Sequence, residues 1–152
     1  MMDLERLVAA LGAADVVGRA PVEVCDLAYD ARTVVPGSLF FCVPGAEVDG
    51  HEFAADAVAA GAVALVVERA LDVPVPQIVV TDARAAMAPA ADAFFEHPSE
   101  QLQVVGVTGT NGKTTTTFLL FAILAAAGRR PGLVGTIEAA WWSGGGARLA
   151  GR

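Results

Sequence analysis

Apolar positions along the chain fall into short blocks that switch between strand-like and helix-like spacing. Val22 to Tyr29, Leu39 to Val43, Ala64 to Val67 and Ile78 to Val80 are brief runs rich in β-branched, aromatic and other apolar residues, bounded by turn formers, and they predict buried strands. Pro36-Gly37 predicts a turn between the first two, because proline presets one turn dihedral and glycine accepts the next. Pro74 and Pro76 confine the link between the last two. Phe53 to Ala60 predicts a short helix stopped by Gly61. Thr81 or Asp82 can cap a helix running to about Phe95, which His97-Pro98 ends, and Pro89 inside it predicts a kink or a late start. Met1 to Gly12 reads as a short amphipathic helix. The alternation as a whole predicts an α/β fold.

The polar, proline-containing stretch Glu96 to Gln103 is the natural boundary between a first domain, residues 1–98, and a second starting at 103. In the second, Val104 to Val107 predicts a strand, Thr114 to Ala127 a helix, Gly128 to Gly132 a turn and Leu133 to Ile137 another strand of a parallel sheet. Periodicity then gives way to the glycine-rich Ser143 to Arg152. A single strand–helix–strand unit leaves apolar surface uncovered, so we expect an incomplete domain that continues in a longer protein. Trp141 and Trp142 are expected in a strand or loop whose partners belong to that continuation.

With 55% hydrophobic residues the chain can bury a substantial core. Ten Lys+Arg against 17 Asp+Glu give a net charge of −7, which argues against a general nucleic-acid surface. Cys25 and Cys42 lie in apolar, strand-like sequence and read as reduced, buried thiols rather than a disulfide or a metal site. The N-terminus carries Asp3 and Glu5 and lacks the basic start of a signal peptide. The longest apolar run, Phe118 to Ala127, is ten residues, too short to span a bilayer, so no membrane insertion is expected.

Candidate chemistry concentrates where the strand at Val104–Val107 meets Thr108-Gly109-Thr110-Asn111-Gly112-Lys113-Thr114-Thr115. Gly109 and Gly112 let the backbone curl with its N–H groups around an anion. Lys113 can reach terminal phosphates, the Thr114 hydroxyl suits Mg²⁺, and the positive end of the following helix faces the same place. Val107 stands where the general phosphate-loop pattern requires its first glycine.

The segment TGTNGKTTTT, Thr108 to Thr117, resembles the ATP loop of the Mur ligases and of the related folylpolyglutamate synthases. Tyr29 to Phe53, YDARTVVPGSLFFCVPGAEVDGHEF, is similar to the uridine-nucleotide-binding domain that precedes this loop in Mur ligases and that folylpolyglutamate synthases lack. The likeness extends over about Val22 to Glu138.

That resemblance implies ATP-dependent amide-bond formation in peptidoglycan precursor synthesis, with ATP and Mg²⁺ as cofactors. ATP phosphorylates the terminal carboxylate of a UDP-N-acetylmuramoyl peptide, and the amine of an incoming amino acid attacks the acyl phosphate. Within the family the chain is most similar to the members that add diaminopimelate or lysine to UDP-N-acetylmuramoyl-L-Ala-D-Glu. The D-Ala-D-Ala-adding ligase and a noncatalytic nucleotide-binding module are the alternatives. A cytoplasmic enzyme, monomeric at full length, is implied, while the chain alone is expected to be inactive.

Residue by residue, the resemblance places ATP on Gly109, Thr110, Asn111, Gly112, Lys113, Thr114 and Thr115, with Lys113 and Thr114 as the catalytic pair and Thr114 the metal contact. Asn111 either shapes the loop or meets a phosphate, and Thr115 either caps the helix or donates to the α-phosphate. The UDP moiety is assigned to Asp30, Ala31, Arg32 and His51. Ala31 replaces the serine of the family's Asp-Ser-Arg segment, which removes one expected hydroxyl. Arg32 can contact a charged group or pair with Asp30. His51 can touch substrate or cap a turn, and Tyr29 can stack on uracil or pack in the core, the core being the favoured place.

Overall fold

The computed structural model describes residues 1–12, 15–18, 21–135, 139–143 and 146–149, and its contacts divide the chain into two units, Met1–Gln103 and Val104–Arg152.

The first unit opens with β1 (Met2–Asp3) and α1 (Leu4–Leu11), where the Asp3 carboxylate accepts from Glu5 N–H and caps the helix. β2 (Asp15–Val17), β3 (Glu23–Val24), β4 (Asp26–Ala28), β5 (Ser38–Phe41), α2 (Ala54–Ala59), β6 (Ala64–Val67), β7 (Gln77–Val79) and α3 (Ala83–Phe94) follow. β4 to β7 form a parallel sheet in spatial order β2-β7-β6-β5-β4, with β2 antiparallel on β7, while β3 pairs with β1 instead.

Both faces of the parallel strands are covered, which is why they read as continuous apolar runs. Leu39, Phe41, Ala64 and Val66 face one side and pack with Leu4 and Leu7 of α1 and Ala86 and Ala90 of α3. Phe40, Cys42, Leu65 and Val67 face the other side and pack with Ala54 and Ala57 of α2. Parallel pairing brings the carboxyl ends of β4 to β7 to one edge, so the segments after Ala28, Phe41, Val67 and Val79 lie along it.

The structure changes several expectations. The Val22–Tyr29 run is two strands, because the chain changes partner at Cys25, whose N–H donates to Gly37 O at 2.8 Å. Between partners the Cys25 side chain has no cover and is exposed, whereas Cys42 is buried. α3 starts at its Asp82 cap without delay, the carboxylate accepting from Ala85 N–H at 2.8 Å. Pro89 is accommodated because it and Ala85 lie on the exposed side, where water can satisfy the carbonyl that lacks a donor.

α3 ends on two consecutive residues with left-handed backbone, Glu96 (φ 61°) and His97 (φ 54°), before Pro98 begins a 3₁₀ turn. His97 Nδ1 lies 2.7 Å from Asp92 Oδ2, and this bond, with the charges of Asp92 and Glu100, raises the imidazole pKa against desolvation and Arg6. A raised folded pKa means the stabilisation is complete below the ordinary imidazole range and lost as pH rises through the folded value. NMR titration is therefore expected to place the His97 midpoint above the ordinary value of 6.5, and Asp92→Asn to bring it back. An unshifted midpoint in the wild-type chain would contradict the pairing.

In the second unit, Val104 to Val107 is irregular, with Val104 74% and Val105 71% exposed. A strand needs neighbours for its N–H and C=O groups, and this segment has no described partner. α4 (Lys113–Ala126) follows the loop, then β8 (Gly132–Val134), β9 (Ala139–Ser143) and β10 (Gly146–Leu149). These strands form an antiparallel sheet, β10-β9-β8, in place of the expected parallel pairing, since β8 finds its partner in the strand that follows it. Trp141 and Trp142 lie in β9, and Thr136 and Ile137, the end of the expected second strand, lie outside the described residues. No residue of α4 is buried, although its sequence is apolar around much of its circumference. No helix among the described residues is long and apolar enough to cross a membrane.

Candidate functional site

Each unit carries one group of the candidate residues. In the second, the loop ends at Gly112, whose φ of 76° favours glycine, and α4 begins at Lys113 with no side-chain cap. Thr116 N–H is the first to reach back, donating to Gly112 O at 2.9 Å, so the N–H groups of the preceding residues face outward from the helix start. Gly109 has φ 151°, and the Lys113 ammonium folds over the loop, donating to the carbonyls of Gly109 and Thr110. Thr110, Asn111, Thr114 and Thr115 are exposed around it. The donor set suits a polyphosphate: uncapped N–H groups, the Lys113 ammonium and an exposed Thr114 hydroxyl for a hard metal ion. No group of three or more His, Cys, Asp and Glu among the described residues is placed to hold a metal ion.

In the first unit, Asp30 and Arg32 sit just past β4. Asp30 caps the 3₁₀ turn Ala31–Thr33, accepting from Arg32 N–H at 3.0 Å, while Arg32 Nε and Nη2 grip both carboxylate oxygens at 2.9 and 2.6 Å. The guanidinium bond, reinforced by the backbone N–H, holds the Asp30 carboxyl down at about 2. Arg32 is 88% exposed, and among the described residues its Nη1 makes no hydrogen bond, so the pair can order the turn and still offer a donor to an anion. Ala31 is half-buried against the α2 face. Tyr29 departs from the expected core position: it follows the last residue of the edge strand β4 and is 68% exposed.

His51 lies past β5 and is buried. Its Nδ1 is 2.6 Å from Asp49 Oδ1, and its Nε2 accepts from Glu68 N–H at 2.9 Å. Both ring nitrogens are thus engaged within the chain, and the accepting Nε2 fixes the proton on Nδ1. Asp49 also accepts from His51 N–H and from Arg69 Nη2, at 3.0 and 2.7 Å, and these bonds hold its carboxyl well below the usual carboxylate range. Burial, followed by the Asp49 charge, pushes the neighbouring Cys42 thiol up to about 12, so it is inert at neutral pH.

Asp30, Arg32, Asp49 and His51 therefore share the carboxyl edge of the parallel sheet, the side on which open α/β sheets take ligands. Glu68, Arg69 and Arg84 belong to the same edge and were not singled out in the sequence. The signal available for two of them was the charged pair Glu68-Arg69 set directly against the apolar run Ala64–Val67.

A family model described as Mur ligase family, catalytic domain, matches residues 23–105. The UDP-N-acetylmuramoyl-L-alanyl-D-glutamate–2,6-diaminopimelate ligase of Geobacillus thermodenitrificans is 55% identical over 115 residues, 76% of this chain and 24% of that protein. Among solved structures, the UDP-N-acetylmuramoylalanyl-D-glutamyl-2,6-diaminopimelate–D-alanyl-D-alanyl ligase of Acinetobacter baumannii superposes with TM-score 0.65 at 30% identity, over 80% of this chain and 27% of that one. The MurF ligase of Thermotoga maritima in complex with ADP gives TM-score 0.56 at 30% identity, over 66% and 23%. The chain thus spans about a quarter of the length of the curated relatives it matches.

Proposed function

The chain belongs to the Mur ligase family, and from that premise we propose that it supplies the uridine-nucleotide and ATP sites of a ligase that adds diaminopimelate or lysine to UDP-N-acetylmuramoyl-L-Ala-D-Glu. Residues 1–98 form the part that holds the UDP moiety, through Arg32 and the edge around Asp30, Ala31 and His51. Residues from 103 onward begin the ATP-binding part.

The observation that carries this reading is the loop from Thr108 to Thr115, which ends on an uncapped helix N-terminus with Lys113 and Thr114 at its first two positions. Bound Mg²⁺ would neutralise charge on the phosphates from the Thr114 hydroxyl. Phosphoryl transfer depends on positioning and charge neutralisation more than on a protein nucleophile, and the loop offers these functions and no nucleophile. Curated relatives at 43–55% identity are diaminopimelate-adding ligases, which favours the first substrate over the second. A cytoplasmic, monomeric enzyme fits the same reading.

Titration calorimetry separates this reading from a self-contained nucleotide module. Val104–Val107 has no strand partner among the described residues and α4 is unburied, so the loop lacks rigid support there, and Mg²⁺-ATP binding by this chain is expected to be weak or undetectable. Extended to the relatives' full length, the chain should release phosphate only when UDP-N-acetylmuramoyl-L-Ala-D-Glu and diaminopimelate or lysine are both present. Micromolar ATP affinity in the chain as it stands, about −8 kcal/mol, would favour the module.

A further inference from the structure

The loop from Pro44 to Gly50 closes on itself and is then tied to its surroundings on both sides. Gly45 N–H donates to Val48 O at 2.9 Å, Gly50 N–H donates to Val43 O at 3.1 Å, and Pro44 bridges Asp49. A Cβ on Gly50 would fall 2.5 Å from Val43 O, so only glycine lets the loop approach β5 this closely. From the loop, Asp49 reaches His51 and Arg69, and His51 in turn accepts from Glu68 N–H. Glu68 Oε1 accepts from Ala83 N–H at 2.9 Å, and Arg84 in the first turn of α3 returns to the loop by donating to Pro44 O at 3.2 Å. The path runs from loop to β6 end to α3 and back, and it closes.

We propose that His51 and Arg69 are positioning residues, which with Asp49, Glu68 and Arg84 form a closed latch that fixes the Pro44–Gly50 loop at the carboxyl edge and so shapes the nucleoside-diphosphate site there. The diphosphate part rests on the uridine reading above. His51 is 5% exposed and spends both nitrogens on the latch, which leaves it no polar side-chain atom for a ligand but makes it a buried side chain joining the loop to the end of β6 from within. Arg69 closes the same joint from outside, its side chain 58% exposed. Asp49 carries a carboxylate at the site, yet its oxygens are already engaged by His51 and Arg69, which limits its repulsion of an incoming diphosphate. Val48 stands exposed on the loop. The latch holds the base of the loop and leaves this part open.

Amide hydrogen exchange and UDP titration, both followed by NMR on the whole chain, test the latch. His51→Phe keeps an aromatic ring in the site, somewhat larger, but one that can neither donate nor accept, and it should speed exchange at Glu68 and Gly50 by about tenfold or more, as local opening becomes easier. Arg69→Ala, a surface change that keeps the fold, should do the same at Gly50 and weaken UDP binding several-fold, with Arg69→Lys recovering part of the affinity. Unchanged exchange in both variants would overturn the latch, and faster exchange with unchanged UDP affinity would overturn the positioning role. Faster exchange in the variants together with no UDP shifts in the wild-type chain refutes the uridine reading while the latch stands.

Discussion

Lys113→Ala, placed in a chain extended to the relatives' full length, is expected to lower ligation at least about a hundredfold, the scale for removing one electrostatic donor at a charged transition state. Lys113 is the cation at the start of α4, and its ammonium lies over the carbonyls of Gly109 and Thr110, within the curl of the loop. Those carbonyls are weak competitors for the ammonium, so a polyphosphate entering the loop would draw it away. The loss should fall on turnover as well as on the ATP requirement, because the charge being met grows as the phosphoryl group leaves. Lys113→Arg keeps the charge but not its compact, pointlike form, and should restore only part of the rate. Phosphate release under saturating ATP is the measurement, and near-normal turnover in the alanine variant would remove Lys113 from the mechanism.

Much of the first unit was legible because its strands are covered on both faces. Leu39 to Phe41 and Ala64 to Val67 are uniformly apolar, and such runs announce buried parallel strands without any need for alternation. Caps were legible too, since Asp82 and Gly61 act through their own local chemistry. What could not be read locally was partner choice. The Cys25 side chain is exposed because β3 and β4 join different sheets, a fact set by β1 and β5 rather than by the residues around Cys25. In the second unit the same limit appears with the opposite sign. Val104 to Val107 has the composition of a strand and has no partner among the described residues, because β propensity expresses a fit to neighbouring strands more than a preference of the backbone.

The candidate site divides in the same way. In the candidate phosphate loop, the turn and the helix start were legible because consecutive residues, Gly109 to Lys113, set them. Asp30 and Arg32 were likewise close enough in sequence for their pairing to be foreseen. The role of His51 was not, since its partner Glu68 lies seventeen positions away and contributes a backbone N–H, which no side-chain pattern reveals.

Phe40→Ala is expected to destabilise the first unit by about 3–5 kcal/mol, the range for deleting a buried aromatic ring. Phe40 is 1% exposed on β5 and packs among Ala28, Cys42, Ala54, Ala57, Leu65 and Val67. Three of these neighbours are alanines, with no side chain long enough to turn into the vacated space, so the cavity should persist and the cost should fall in the upper part of the range. A domain of this size holds only about 5–15 kcal/mol in total, and each kcal/mol lost lowers its melting temperature by about 4–8 °C. Phe40→Leu, which keeps most of the volume, should cost less than half as much. Urea unfolding followed by far-ultraviolet circular dichroism reads the difference as a shift in midpoint at constant slope. A loss below about 1 kcal/mol for the alanine variant would mean that α2 does not seal this face of the sheet. Phe40 itself makes none of the contacts that fix the Pro44–Gly50 loop beyond the carboxyl end of β5, so in this variant UDP affinity should fall only in proportion to the unfolded fraction.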